Sequence, residues 1–484
     1  MNLTDPILRH ARMQPRSVAL IEREQTMTYG ELADRILRTA GYLAKLGIVR
    51  GDHVGLCLRE DSQFIVVLLA LARLGAIAVQ IDSRSRPAER TRVVDAFPMR
   101  LALVTPESET GVNCPRVVLD AAWRSAIAAT DRSSVAVEDW HAPVVVQASS
   151  GTTGLPKFSV ATHYQYHFHM VSYLELMPPS RHRFLLIMPL YFSAGRLCCL
   201  THLLRGDTLI LYPAQCSARE IIEIVSRHKV TATFIVTSMV RELLALTDDH
   251  QPLLPSIEVL ISGGAPLLAD EKLETLRKVT PRFCEMYGAA AIGPMAALRA
   301  NEIRERPTSV GRPFSFVDIE IVDDDDRALD AGATGHLRCR GPGLTLPAAN
   351  SSRASAADFR NGWHYPGELA SIDELGYIFL QGRKSEVIFQ GGAKIFPSEV
   401  EAVLQAHETV AEAAVVGRTL SNNEQEVVAY VVAKRPVTPG ELLAHCRTRL
   451  TAFKVPREIQ IVAELPRNPS GKVDKRALIN CTPD

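Results

Sequence analysis

Short apolar runs and longer amphipathic stretches alternate along most of this chain, and that alternation leaves few folds open. Tyr29 to Leu46 carries apolar residues at helical spacing, Val54 to Leu58 reads as a strand, Ser62 to Leu74 as a helix and Ala76 to Ile81 as a strand. The pattern recurs with strand candidates at Arg183 to Met188, Thr208 to Leu211, Thr233 to Val236 and Val259 to Ile261, separated by helical stretches. Strands joined through helices pair in parallel, with the helices packed on the sheet faces. The expected fold class is therefore α/β, with a large N-terminal domain of parallel-sheet αβα layers. From Ser309 the texture changes to β-runs such as Phe316 to Val322, followed by the acidic turn Asp323 to Asp326, which implies a β-rich subdomain. Beyond Arg383 a small α+β pattern begins: strand Glu386 to Phe389, helix Pro397 to Ala406, strands Ala411 to Gly417 and Glu426 to Ala433, and helix Gly440 to Leu450. The expected domains are residues 1–383 and 384–484.

Composition narrows the function classes. Lys plus Arg (54) equals Asp plus Glu (54), so no overall field recruits nucleic acid or an anionic membrane, and a polyanion must be held by a local site. The nine cysteines are scattered without a C-x-x-C pair, which fits reduced thiols in a cytoplasm better than a disulfide framework. The opening MNLTDPILRHARMQPR lacks the charged-then-apolar layout of a secretory signal. Phe64 to Ile81 approaches membrane-span length, but Arg73 and Gly75 interrupt it, and a buried helix followed by a buried strand is the better reading.

Val144 to Gln147 reads as a short buried strand, followed directly by ASSGTTGLPK. The hydroxyls of Ser149, Ser150, Thr152 and Thr153, the open backbone at Gly151 and Gly154, and the charge of Lys157 suit a loop that surrounds phosphate oxygens. The spacing does not fit G-x-x-x-x-G-K-[ST], so the common nucleotidase loop is excluded. Taken alone, such a cluster is more often a polar surface turn.

The loop gains meaning from its company. SSGTTGLPK resembles the signature loop of the adenylate-forming superfamily, which includes acyl-CoA and aryl-CoA synthetases, peptide-synthetase adenylation domains and luciferases. PLYFSAG (189–195), SGGAPL (262–267), MYGAAA (286–291), SVGRP (309–313), GWHYPGELA (362–370), GRKSEVIFQGGAKIFPSEVE (382–401) and PRNPSGKVDK (466–475) follow in the family's order. The resemblance implies ATP-dependent activation of a carboxylic acid to an acyl-adenylate, then transfer to a thiol, with a small mobile C-terminal domain. It assigns Ser149 to Lys157 to the β- and γ-phosphates, and Gly263, Gly264, Ala265, Pro266, Tyr287 and Gly288 to adenine. Glu368 and Arg383 go to the ribose, and Lys472 to the carboxylate and α-phosphate. Gly391 and Gly392 match the turn lining a pantetheine tunnel, and Ser385 the hinge. The thiol belongs to coenzyme A or to the phosphopantetheine of an acyl carrier protein.

The departures from the pattern are informative. Where relatives carry a glutamate that helps hold Mg²⁺, this chain has Ala291, so the ion is left to the ATP phosphates. The usual aspartate of T-G-D is Glu368 in Pro-Gly-Glu, and the hinge residue is Ser385. Phe192 replaces a common histidine, and with Ala289, Ala290 and Ala291 it favours an apolar or aromatic acid over an amino acid. A second reading is a degenerate member that binds nucleotide or acyl-adenylate with little turnover. The retained loop, Arg383 and Lys472 favour the enzyme. Lys472→Ala is expected to abolish acid-dependent pyrophosphate exchange while leaving ATP binding largely intact; equal exchange rates in variant and parent would show the lysine to be misassigned.

Overall fold

Caps written into the sequence set the helix ends in this computed structural model, which describes residues 2–149, 157–213, 216–247, 252–347, 358–390, 393–420, 425–467 and 472–479. Thr28 accepts the N–H of Glu31 while Glu31 accepts that of Thr28, a capping box that starts the Tyr29–Lys45 helix. Asp61 accepts from the N–H groups of Gln63 and Phe64 at the start of Ser62–Leu74, and Gly75 ends that helix at φ 74°. Phe64 to Ala72 and Leu74 are buried on every side of this helix, and the Ile77–Gln80 strand after it is buried too. An apolar run of near-membrane length is thus two enclosed elements. No helix among the described residues is long and apolar enough to cross a membrane.

The chain divides into two compact units, Met1–Asp318 with Cys339–His364, and Ile319–Arg338 with Tyr365–Asp484. Among the described residues, the first unit holds a nine-stranded and a seven-stranded sheet. In the larger sheet Phe283–Ala289, Val259–Gly263, Ala232–Val236, Arg183–Leu186, Thr208–Leu211 and Val18–Glu22 lie side by side and parallel. Gly293–Leu298 and Arg312–Pro313 close one side antiparallel, and Gln25–Thr28 the other. The smaller sheet has a parallel centre that includes His53–Cys57, Ile77–Gln80 and Pro143–Ser149, with an antiparallel edge at Lys157–Thr162 and Leu346–Pro347. The parallel layers follow from the alternation of strands and helices. The antiparallel edges do not, because hairpin partners come without a helix between them.

In the second unit Glu368–Ile372 pairs with the start of Gly335–Arg340 on one side and with Ile378–Arg383 on the other. Its C-terminal part is a three-stranded sheet of Val410–Thr419, Gln425–Ala433 and Glu458–Ile461. The Pro397–Gln405 and Pro439–Arg447 helices pack on it through Val400, Leu404, Leu442 and Cys446. Residues 365–383 therefore group with the C-terminal segment by compactness, whereas the motifs suggested a division after 383. The strand expected at Glu386 to Phe389 begins at Ile388, because Lys384–Glu386 form a 3-10 turn in which the Lys384 N–H bonds to the Gly367 carbonyl and Glu386 pairs with Lys475. The strand expected from Phe316 begins at Asp318; the Phe316 ring stacks edge-on against Phe168 instead.

One glycine shows how tightly the large sheet is closed. Gly311 has φ +94°, and a Cβ there would lie 1.8 Å from the Ala297 carbonyl oxygen. Gly311→Ala is therefore expected to remove about 3 kcal/mol or more of unfolding free energy in urea melts. A loss under about 1 kcal/mol would mean that the Arg312–Pro313 edge yields without strain.

Candidate active site

Ligands of open parallel sheets bind beyond the carboxyl ends of the strands, and the residues singled out in the first unit gather there. Gly263 is the last residue of Val259–Gly263 and lies opposite Met286 on the neighbouring strand, one residue before Tyr287. A side chain at Gly263 would strike the Met286 carbonyl at 2.3 Å, and one at Gly288 the Gly293 carbonyl at 2.5 Å, so both glycines permit close backbone packing. Gly264 is exposed at φ +96° with open space around it, Ala265 is half-buried and Pro266 exposed. Tyr287 is half-buried. The two segments expected to flank adenine are thus neighbours.

Ser149 and Lys157 are directly opposite one another at the end of an antiparallel pair, so the phosphate-loop motif joins two strands of the smaller sheet. Ser150, Gly151, Thr152, Thr153 and Gly154 lie outside the described residues.

Phe192 is the N-cap residue of the Ser193–Arg205 helix, and its ring packs against Tyr191 at 4.1 Å between centroids. Gly195 is pressed against the Pro189 carbonyl, where a Cβ would come within 2.2 Å. Arg196, which the motif reading missed, is buried; its Nε donates to the Tyr166 hydroxyl at 3.1 Å and its Nη1 to the carbonyls of Leu190 (3.0 Å) and Tyr191. It ties down the loop that presents Phe192. Phe192 follows the Arg183–Leu186 strand, and Ala289 ends the Phe283–Ala289 strand three places away in the same sheet.

Ala289 ends its strand and Ala290 and Ala291 form the turn into Gly293–Leu298. The Ala291 carbonyl accepts both the N–H (2.7 Å) and the hydroxyl (2.9 Å) of Thr345. The Thr345 segment is fastened in turn by the His163–Leu174 helix. Gln165 Nε2 donates to the Leu344 carbonyl at 2.7 Å, and His169 Nε2 donates to Gly343 at 2.7 Å. The His169 ring leaves no space for a Cβ at Gly293 or Gly343. Sequence patterns could not flag His169, because a histidine in an aromatic-rich helix carries no motif. No carboxylate stands at the turn, and among the described residues no group of three or more His, Cys, Asp or Glu side chains is placed to hold a metal. These residues do not fit a protein-held Mg²⁺.

The second unit gathers the other candidates. Glu368 and Arg383 are direct partners across an antiparallel ladder, and Gly367 turns into it at φ +84°. Lys472 reaches the same place from a distant part of the chain. Its side chain is exposed, yet crowding by surrounding atoms and the charge of Arg383 lower its pKa from the usual lysine range, while Glu368 opposes them. Three residues on, Lys475 is held by Glu386 (2.9 Å) and Glu401 (2.8 Å). Ser385 is exposed within its 3-10 turn. Gly391 and Gly392 lie outside the described residues, between the paired Gln390 and Ala393.

The model for AMP-binding enzymes matches residues 7–347, and that for the AMP-binding enzyme C-terminal domain residues 399–472. The chain is 29% identical over 476 residues to the 2-succinylbenzoate–CoA ligase of Bacillus subtilis, covering 98% of this chain and 96% of that protein. It is also 29% identical to the indoleacetate–CoA ligase of Aromatoleum aromaticum over 498 aligned positions, covering 98% and 97%. A solved structure of the B. subtilis o-succinylbenzoate CoA synthetase with its acyl-adenylate intermediate superposes with a TM-score of 0.90 at 27% identity, covering 99% of this chain and 98% of that one. The same enzyme has been solved with ATP and magnesium ion, at a TM-score of 0.86 and 27% identity, covering 97% and 98%.

The His163–Leu174 helix also makes acid stability predictable. His163 accepts the Leu3 N–H on Nδ1, and burial lowers the pKa of both His163 and His169 to about 4. Both rings are neutral in the folded protein, while the unfolded chain takes up their protons below about pH 6.5. Their contribution is thus constant above that pH and falls with acidification until about pH 4, at up to roughly 1.4 kcal/mol per pH unit for each ring. His169→Gln, which keeps a donor for Gly343, is expected to reduce the slope of urea stability between pH 6.5 and 4.5. An unchanged slope would contradict a neutral buried His169.

Proposed function

Since the chain belongs to the family of AMP-binding enzymes, we propose that it uses ATP to activate an aromatic carboxylic acid and transfers the acyl group to the thiol of coenzyme A. The observation that carries this reading is the convergence of Lys472 on the Glu368–Arg383 ladder within one unit, which joins three site residues remote in sequence. A decayed nucleotide binder has no need of that arrangement.

In the first step a carboxylate oxygen attacks the α-phosphorus of ATP and the bond to the β-phosphate oxygen breaks, releasing pyrophosphate. Two anions must approach, so a cation is needed where negative charge builds up. Lys472 supplies it, beside Arg383 and Glu368. Glu368 accepts from the ribose hydroxyls and Arg383 orients the same sugar, the two being register partners on adjacent strands. In the first unit Tyr287 offers a ring face to adenine, with the backbone of Gly263, Gly264, Ala265 and Pro266 beside it. The loop from Ser149 to Lys157 binds the β- and γ-phosphates. Mg²⁺ enters as part of the MgATP substrate, since Ala291 offers no side-chain ligand.

In the second step the thiol sulfur attacks the adenylate carbonyl, the thiol proton leaves to solvent and AMP departs. Gly391 and Gly392 leave room for the pantetheine arm, and Ser385 is the pivot between the two steps, marking the working division at 383/384. The aromatic acid is supported by Phe192 beside Tyr191, by the small side chains at 289–291, and by relatives named for 2-succinylbenzoate and indoleacetate. Coenzyme A is the acceptor in those names. A cytoplasmic location fits these substrates and the scattered thiols.

The test is ATP–pyrophosphate exchange with a panel of aryl and arylalkyl acids, followed by thioester detection on adding coenzyme A. At least one aromatic acid is expected to support exchange and yield a CoA thioester. No acid-dependent exchange even at high Mg²⁺ would overturn the ligase reading, while exchange without a CoA product would redirect the acceptor to a carrier protein or a non-thiol nucleophile.

A further inference from the structure

Lys272 and Glu285 are buried, at 2% and 3% exposure, and form an ion pair of 2.6 Å that none of the motifs contains. The burial decides its meaning. Two ions removed from water lose hydration that their attraction does not reliably restore, and replacing such a pair with apolar residues of similar volume is often neutral or stabilising. Stability alone therefore does not account for it, and the remaining bonds of the two groups show what it organises. Lys272 Nζ also donates to the Ser309 carbonyl at 2.8 Å. The Glu285 carboxylate faces the backbone N–H of Leu267, next to Pro266, which favours its charged form. Glu285 lies on the same strand as Tyr287, two residues before it, so their side chains share a face. Ser309 Oγ in turn accepts the Gly311 N–H at 2.9 Å, at the tight turn against Ala297.

One buried charge pair thus links three segments: Glu285 sits on the strand that carries Tyr287 and faces the end of the Gly263–Pro266 loop, and Lys272 bonds to the Ser309–Gly311 turn. We propose that Lys272 and Glu285 are positioning residues for nucleotide recognition, holding the Gly263–Pro266 backbone and the Tyr287 ring at a fixed spacing on either side of the adenine. The inference rests on the adenine reading of those two segments. The pair touches no reacting atom; it acts through the segments it joins. An apolar pair would fill the same volume but would leave the loop and the strand free to slide by fractions of an ångström, which a stacked base detects.

The experiment is calorimetric titration of AMP into the full-length double variant Lys272→Met/Glu285→Gln, which removes both charges together and leaves no lone buried ion. The variant is expected to melt within a few degrees of the parent, and its AMP Kd to rise about tenfold. With an acid that supports exchange, KM for ATP is expected to rise equally, with KM for the acid and turnover at saturating ATP within about twofold. A merely structural role would not split the constants this way. Tyr287→Ala is titrated alongside. Weakened AMP binding in both supports the proposal. Weakening in Tyr287→Ala alone overturns the role of the pair and leaves the adenine reading standing. No change in either overturns the adenine reading and the proposal with it. If the double variant fails to fold, Lys272→Arg, which keeps the charge but reaches both acceptors with different geometry, is titrated instead; an AMP Kd equal to the parent's overturns the proposal.

Discussion

Everything in the first unit depends on the parallel hydrogen-bond ladder that runs through Arg183–Leu186, Ala232–Val236, Val259–Gly263 and Phe283–Ala289. Parallel strands end on one edge, so the loops that follow them open on the same side whatever their sequence. Gly263 and Met286 being register partners is enough to put the Gly-Gly-Ala-Pro loop beside Tyr287. The same ladder brings the loop carrying Phe192 to that edge from a strand three places away, while Ala289 ends the strand that carries Tyr287.

Loops on such an edge have no ladder of their own, and here side chains from behind hold them. Arg196 binds the carbonyls of Leu190 and Tyr191; Gln165 and His169 bind those of Leu344 and Gly343; Lys272 binds that of Ser309. In each case a buried donor satisfies a backbone acceptor that would otherwise be costly to enclose. The Ala291 turn follows the same logic, its carbonyl taken by Thr345.

The second unit sets two nearby lysines in different electrostatic surroundings. Crowding and Arg383 push against the Lys472 charge, and Glu368 pulls for it. Lys475, only three residues on, has the opposite environment: two carboxylates hold it and raise its pKa even though burial works against them. One lysine anchors the segment and the other is presented by it.

Local pattern alone determined much of this. The buried Ser62–Leu74 helix, the capping box at Thr28 and Glu31, and the parallel strands from Arg183 to Gly263 are short-range consequences of residue order, because caps and apolar periodicity act within a few residues. The ordered motifs marked Tyr287, Arg383 and Lys472 as candidates in the same way. Long-range pairing was not legible. Nothing near Lys157 announces that its strand returns antiparallel to Ser149, nothing near Lys272 points to Glu285, and nothing near Lys472 points to Glu368. The reason is physical: a motif records which groups the chemistry requires, whereas the partner that balances a buried charge or closes a sheet edge is chosen by burial and register, which exist only once the chain has folded.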